Sequence, residues 1–183
     1  MNSAAVEQIT ITPLALPGVL LLRPLTHRDS RGAFTETWRA STYRALGLPD
    51  FVQDNLVHSK ACVLRGMHYQ TRKPQGKLIC VLQGAVQDIV ADINPRSAHF
   101  GQHVSVQLDA QAGDQLYVPP GYAHGYYTQS NSAMVLYKCT DYYDPEGQGG
   151  CRWDDPLLAL PWQLKGAPTV APRDEKWPPL AAQ

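Results

Sequence analysis

Apolar and polar residues alternate along most of this chain, in short β-branched runs separated by turn residues. A period of two places every second side chain on one face of a strand, so the pattern predicts strands and not helices. Turn signals recur about every eight to twelve residues, which is typical of an all-β sandwich or barrel with antiparallel neighbours. The predicted strands cover residues 19–23, 33–38, 51–60, 63–70, 77–82, 86–93, 102–108, 115–118, 123–128 and 134–140.

One short helix is predicted within this pattern at residues 41–46, with Ser41 or Thr42 as its cap and Gly47 at its end. Gln83 and Gly84 stand between two apolar strands and predict a tight hairpin. A second polar turn is predicted at 110–114. The length of 183 residues fits one domain, so we expect a single domain over residues 1–183, with segment 162–183 as irregular chain packed on it.

The composition narrows the class of protein further. Sixteen basic residues balance sixteen acidic ones, which argues against a nucleic acid or an anionic membrane surface as a partner. No basic residue precedes Arg23, and no apolar run near the start approaches the about 20 residues that span a bilayer. The four cysteines have no paired spacing. We therefore expect a cytoplasmic protein with reduced thiols and no membrane segment.

The most specific motif lies at residues 113–124, where the spacing G-x5-P-x-G-x2-H ends at His124. A turn at Gly113, a short strand and a second turn at Gly121 would start the next strand with His124 directed into a barrel. This segment resembles the second signature of the cupin superfamily. The resemblance implies an all-β, cupin-type double-stranded β-helix, or jelly-roll barrel, with one or two short helices.

The first cupin signature normally supplies further metal ligands, and here its matching stretch is residues 66–70. His68 is present, but Gln70 stands where the second histidine would share its face of the strand. His68 and His124 alone fall short of the three protein ligands that a zinc or iron site usually needs. We therefore expect a barrel without a metal.

Seven further blocks follow one another along the chain: RGAFTE (31–36), QDN (53–55), VLRGMHYQ (63–70), PQGKL (74–78), VPPGYAHG (118–125), LYKCTDYY (136–143) and WDDP (153–156). Together, and in this order, they resemble the dTDP-4-dehydrorhamnose 3,5-epimerase family of deoxysugar-nucleotide epimerases. The match extends from about residue 19 to residue 180, nearly the whole chain. The resemblance implies epimerisation of a nucleotide-linked 4-keto-6-deoxyhexose, most simply dTDP-4-dehydro-6-deoxyglucose to dTDP-4-dehydrorhamnose.

By this resemblance four residues carry the chemistry. His68 is the base that removes a proton beside the ketone, and Asp174 orients its imidazole. Lys77 faces the developing enolate oxygen, and Tyr137 returns a proton from the other side. No cofactor is expected, because the 4-keto group of the substrate is itself the electron sink.

The resemblance also implies the residues that bind the nucleotide sugar and a homodimer in which two subunits share each pocket. The set near the base and ribose, which the family builds from a second subunit, matches Arg31, Phe34, Glu36, Gln53 and Asn55. The positions near the diphosphate and sugar match Arg65 and His124, and the edge of the site matches Gln148 and Arg173.

Two edge positions depart from the family pattern, since Gln148 replaces a glutamate and Arg173 a lysine. They leave open which nucleotide and sugar bind and whether C3, C5 or both are inverted, so a mono-epimerase is one alternative. A metal-dependent cupin oxygenase or isomerase and a non-catalytic sugar-nucleotide binder are the alternatives from other classes. Metal analysis would distinguish a metal-dependent cupin from the epimerase, and isotope exchange would distinguish a binder from the epimerase.

Overall fold

The computed structural model describes residues 8–180, so the two ends of the predicted domain, 1–7 and 181–183, lie outside the described residues. The described chain is built mainly from strands with one short α-helix, as predicted. The helix α1 is Ala40–Ala45, and the strands are β1 Ile9–Pro13, β2 Leu20–Pro24, β3 Thr26–Asp29, β4 Gly32–Thr35, β5 Gln53–Lys60, β6 Val63–Gln70, β7 Lys77–Gln83, β8 Ala85–Ala91, β9 His103–Asp109, β10 Gln115–Val118, β11 Ala123–Thr128, β12 Ser132–Cys139, β13 Gln148–Gly150 and β14 Thr169–Val170.

These strands form two main sheets and a small ribbon. One sheet has the order β1-β2-β10-β7-β12-β5, and the other has the order β13-β6-β11-β8-β9. Neighbouring strands are antiparallel within both orders, while β14 adds to β6 in parallel. Among the described residues, strands β3 and β4 pair only with each other. Two sheets that exchange consecutive strands give the jelly-roll architecture that the sequence predicted.

The core lies between the two main sheets and explains why polar side chains collect at one end. On β7, Ile79 and Val81 are buried in the core, and Lys77 occupies the same face two residues earlier. On β12, Val135 is buried in the core, and Tyr137 follows it on the same face. The apolar face of each strand therefore continues into an ionisable side chain where the core ends.

The predicted hairpin at Gln83 and Gly84 is wrong. Strand β7 pairs with β10 and β12, whereas β8 pairs with β9 and β11, so the chain crosses from one sheet to the other at Gly84. Gly84 has a φ of 75°, and a Cβ there would lie 2.1 Å from the Ser132 carbonyl oxygen. The turn at 110–114 makes the same kind of crossing between β9 and β10. A turn sequence predicts that the chain changes direction, but it does not determine which strands then pair with each other.

The helix forms where it was predicted, but with a different start. Arg39 occupies the cap position and its side chain makes no capping hydrogen bond, so the predicted caps Ser41 and Thr42 lie inside the helix. The predicted end is confirmed, because Gly47 has a φ of 83° and its N–H donates to the Arg44 carbonyl.

The C-terminal segment is more ordered than predicted. It packs on the barrel as expected, with Leu180 in a buried cluster with Met67 and Leu158. However, it also contributes β14, which pairs with β6, and a 3₁₀ turn at Asp174–Lys176. This pairing holds the end of the segment beside the barrel opening. Within residues 8–180, no helix has the length and apolar character needed to cross a membrane.

Candidate active site

An open cavity of about 360 Å³ occupies the end of the barrel between the sheets. Its floor is apolar and includes Val57, Ile79 and Val135, whereas its walls and mouth are polar. Side chains reach it from β5, β6, β7, β11, β12, β13 and the C-terminal segment. Ten of the thirteen predicted site residues line it, namely Gln53, Asn55, Arg65, His68, Lys77, His124, Tyr137, Gln148, Arg173 and Asp174.

His68 and Asp174 form a close pair at the side of this cavity. His68 Nε2 lies 2.7 Å from Asp174 Oδ1. Since a carboxylate oxygen accepts, Nε2 carries the proton and Nδ1 is left with its lone pair. The Gly66 N–H also donates to Asp174 Oδ2, at 3.4 Å. The carboxylate therefore sets both the tautomer and the orientation of the ring.

The surroundings of Asp174 keep it ionised. Burial by itself would raise the pKa of this carboxyl group. The hydrogen bond and charge of His68, the Gly66 N–H and the Arg173 guanidinium outweigh that effect and hold the pKa below its usual value. An ionised Asp174 stabilises the imidazolium that would form if His68 accepted a proton.

Lys77 and Tyr137 lie together on adjacent strands β7 and β12. Lys77 Nζ is 6.0 Å from the centre of the Tyr137 ring. Burial lowers the pKa of Lys77, and the nearby Cys139 and Asp88 partly offset this. Burial also raises the pKa of Tyr137. The cavity thus holds an ammonium that loses its proton more readily than usual and a phenol that keeps its proton.

His124 has a carboxylate partner of its own. Its Nε2 lies 2.9 Å from Oδ2 of Asp88, which is completely buried on β8. Sequence analysis missed Asp88. The signal in the sequence was an acidic residue inside the apolar run 86–93. Such a run predicts a buried strand, and a buried carboxylate requires a hydrogen-bonding or charged partner.

The β5 side of the cavity carries amides that bond to one another. Gln53 Nε2 donates to Asn55 Oδ1 at 3.1 Å, and Asn55 Nδ2 donates to Cys139 Sγ at 3.6 Å. Alternate residues of β5 share one face, which brings these two side chains together.

Three side chains meet at the cavity mouth. Tyr143 Oη and Arg173 Nη1 both donate to Gln148 Oε1, the latter at 2.8 Å. Arg173 Nε also lies 3.7 Å from Asp174 Oδ1. Gln148 and Arg173, the two edge positions that depart from the family pattern, are thus in direct contact. Other cavity residues that the sequence analysis did not select are Tyr69, Gln70, Gln75 and Tyr126.

Arg31, Phe34 and Glu36 are not brought into this cavity by their own chain. They lie in or just after the β3–β4 ribbon, where Phe34 is 70% exposed. Arg31 pairs with Asp29, and Glu36 pairs with Arg39. The set predicted near the base and ribose is therefore divided in the structure, because Gln53 and Asn55 line the cavity of the same chain as His68.

Within residues 8–180, no three His, Cys, Asp or Glu side chains are grouped closely enough to share a metal ion. All four cysteines are free thiols.

A jelly-roll barrel whose open end gathers a His–Asp pair, a lysine and a phenol defines an enzyme of the cupin class suited to proton transfer. The chain belongs to the dTDP-4-dehydrorhamnose 3,5-epimerase family, whose model matches residues 13–182.

Similar proteins carry the same description. A dTDP-4-dehydrorhamnose 3,5-epimerase of Neisseria gonorrhoeae is 42% identical over 165 residues, which cover 90% of this chain and 50% of that protein. This chain thus spans half the length of that relative. The Pseudomonas aeruginosa protein of the same name is 41% identical, and the alignment covers 90% of this chain and 92% of that protein.

A solved structure extends the likeness to three dimensions. The dTDP-6-deoxy-D-glucose-3,5-epimerase of Legionella pneumophila, in complex with dTDP-4-keto-L-rhamnose, superposes with a TM-score of 0.92 at 39% identity. The alignment covers 94% of this chain and 93% of that one.

Proposed function

We propose that this protein epimerises dTDP-4-dehydro-6-deoxyglucose at C3 and C5 to give dTDP-4-dehydrorhamnose. The observation that carries the proposal is the presence of His68 with Asp174, Lys77 and Tyr137 around one cavity. These groups supply a base, a stabilising cation and an acid, which are the three requirements of proton exchange beside a ketone.

The reaction begins when His68 Nδ1 removes the proton from the carbon next to the 4-keto group. The C–H bond breaks, its electron pair enters the enolate, and the ring nitrogen gains the proton. Asp174 stabilises the imidazolium through Nε2. In this proposal His68 acts from one side of the sugar ring.

Lys77 faces the enolate oxygen, where its ammonium stabilises the developing negative charge. Tyr137 then donates its phenolic proton to the opposite face of the carbon, which inverts the centre. The tyrosinate regains a proton from solvent and His68 releases one, so the enzyme returns to its starting state. The same cycle at the second carbon completes the product.

We also propose that two subunits share each site. The exposed Phe34 and its neighbours Arg31 and Glu36 lie outside the cavity of their own chain, and they suit the base and ribose of a nucleotide held by the partner's cavity. Arg65 and His124 bind the diphosphate and sugar, and Gln53 and Asn55 line the same chamber.

The enzyme requires no metal in this proposal, because the substrate's ketone takes up the electron pair. It acts in the cytoplasm, a compartment in which the four free cysteines stay reduced.

The test is to incubate the protein with dTDP-4-dehydro-6-deoxyglucose in heavy water and to measure deuterium at each carbon. We expect deuterium at both C3 and C5, with and without a chelator, and no exchange in His68→Asn. Exchange at one carbon only would show a mono-epimerase. Loss of exchange with the chelator would show a metal-dependent enzyme, and nucleotide-sugar binding without exchange would show a binder.

A further inference from the structure

Tyr126 is another phenol that lines the cavity, and it has no part in the proposed reaction. It follows His124 by two residues on β11, so both side chains share the inward face of that strand. Tyr126 is only 4% exposed and lines the cavity. Burial raises its pKa, so the phenol is neutral at physiological pH.

The hydroxyl group of Tyr126 is held by Ser59, which in turn holds Arg65. Ser59 Oγ lies 3.0 Å from Tyr126 Oη and accepts a hydrogen bond from Arg65 Nε at 3.1 Å. A serine hydroxyl has one proton and two lone pairs, so it satisfies both partners at once. Ser59 is 5% exposed. The serine is therefore a buried link between a rigid phenol and a long, flexible cation.

Arg65 is anchored by this link at one edge of its guanidinium. Its Nη2 also reaches the His58 carbonyl at 3.4 Å. These bonds hold the guanidinium through Nε and Nη2, and Arg65 lines the cavity, where a ligand can reach it. Strand pairing supports the arrangement, because Tyr126 and Arg65 are opposite each other in β11 and β6.

We propose that Ser59 and Tyr126 are positioning residues that hold the Arg65 guanidinium toward the anionic part of the nucleotide sugar. Arginine loses much side-chain entropy when it is immobilised, so a guanidinium fixed in advance binds an anion more tightly. This inference rests on the proposed function, since it assumes a nucleotide-diphosphate ligand. It assigns Tyr126 a role in binding and none in proton transfer.

The test compares Ser59→Ala, Tyr126→Phe and the double variant with wild type. A single hydrogen bond is worth about 1 kcal/mol, so we expect each single change to weaken dTDP binding by about 5- to 10-fold in calorimetry. The KM for the nucleotide sugar should rise by a similar factor while kcat stays within twofold. Because both residues act through Arg65, their effects should vanish in an Arg65→Ala background.

Tyr127→Phe is the matched control, because this neighbouring tyrosine faces away from the cavity and accepts a hydrogen bond from the Lys165 N–H. It should leave dTDP affinity unchanged. Three results would overturn the inference: a fall in kcat without a change in KM, effects that persist without Arg65, or lower thermal stability with unchanged dTDP affinity. Failure of wild type to bind dTDP would instead overturn the proposed function as well.

Discussion

His68 Nε2 lies 2.7 Å from Asp174 Oδ1, although the two residues are 106 positions apart in the chain. The pairing of β14 with β6 and the 3₁₀ turn that begins at Asp174 bring them together. If the carboxylate sets the histidine tautomer, an uncharged isostere should disable the base while leaving the fold in place.

We therefore expect Asp174→Asn to lower kcat by about 10³- to 10⁴-fold, as loss of the orienting carboxylate does in other His–Asp pairs. The measurement is steady-state kinetics together with circular dichroism of both proteins. Glu175→Gln is the matched control, since Glu175 is exposed on the same 3₁₀ turn. A fall of less than tenfold in Asp174→Asn would contradict the role assigned to the carboxylate.

The pH dependence of kcat should report Lys77. Burial lowers its pKa, so the ammonium proposed to stabilise the enolate should be lost as pH rises, at a midpoint below the about 10.4 of a free lysine. Burial raises the pKa of Tyr137, so that phenol should lose its proton at a higher pH than a free tyrosine. An arginine stays charged throughout. Lys77→Arg should therefore shift the alkaline limb of the profile to higher pH, whatever its maximal rate. Identical limbs in the two enzymes would rule out Lys77 as the titrating group.

Mixed subunits should reveal whether the β3–β4 ribbon serves the partner's cavity. The test combines a His68→Ala chain with an Arg31→Ala/Phe34→Ala chain, each weakly active alone, by unfolding and refolding them together. Half of the resulting dimers should be mixed, and one of the two sites in each mixed dimer should be intact. We therefore expect the mixture to recover about a quarter of wild-type activity. His68→Ala mixed with Tyr137→Phe is the control. Those two residues line the same chain's cavity, so no mixed site is complete. Equal recovery in both mixtures, or none in either, would argue against shared sites.

The close approach of β6 and β11 should make Gly125 intolerant of a side chain. A Cβ there would lie 2.7 Å from the Arg65 carbonyl oxygen and 2.9 Å from Met67 Sδ. We expect Gly125→Ala to reduce the free energy of unfolding by about 1–3 kcal/mol through overpacking. This corresponds to about 2–4 °C of Tm per kcal/mol for a chain of this size. Gly166→Ala, with nothing within 4 Å of the added carbon, should leave stability nearly unchanged in the same denaturation series. Equal stability of the two variants would contradict the packing argument.

Most of the strands could be predicted from the sequence, because alternation is a local property. Strand 63–70 and strand 123–128 have the predicted bounds. The hairpin at Gln83 and Gly84 could not be judged in this way, since a turn looks the same whether the next strand joins the same sheet or the facing one. The cap of α1 was misjudged because Ser41 and Thr42 are good capping residues, but they lie in the first turn of the helix, two and three residues after the cap position Arg39.

The residues of the site also fall into those that the sequence could predict and those that it could not. The sequence motifs indicated His68, Lys77 and Tyr137, which are carried by strands with strong patterns. Asp88, Tyr126 and Ser59 were not found, because each belongs to an ordinary-looking strand and gains its role only from a partner on another strand.

By itself, the sequence determined the strand periodicity, the short helix that follows Arg39 and the residue types that the chemistry needs. Only the tertiary structure decided which strands are neighbours, that Asp88 pairs with His124, and that Gln53 and Asn55 line the same chain's cavity as His68. The physical reason is the separation along the chain over which each interaction acts. Side-chain alternation is set by the backbone within a few residues, whereas strand partners and buried ion pairs are chosen by packing between segments far apart in the chain.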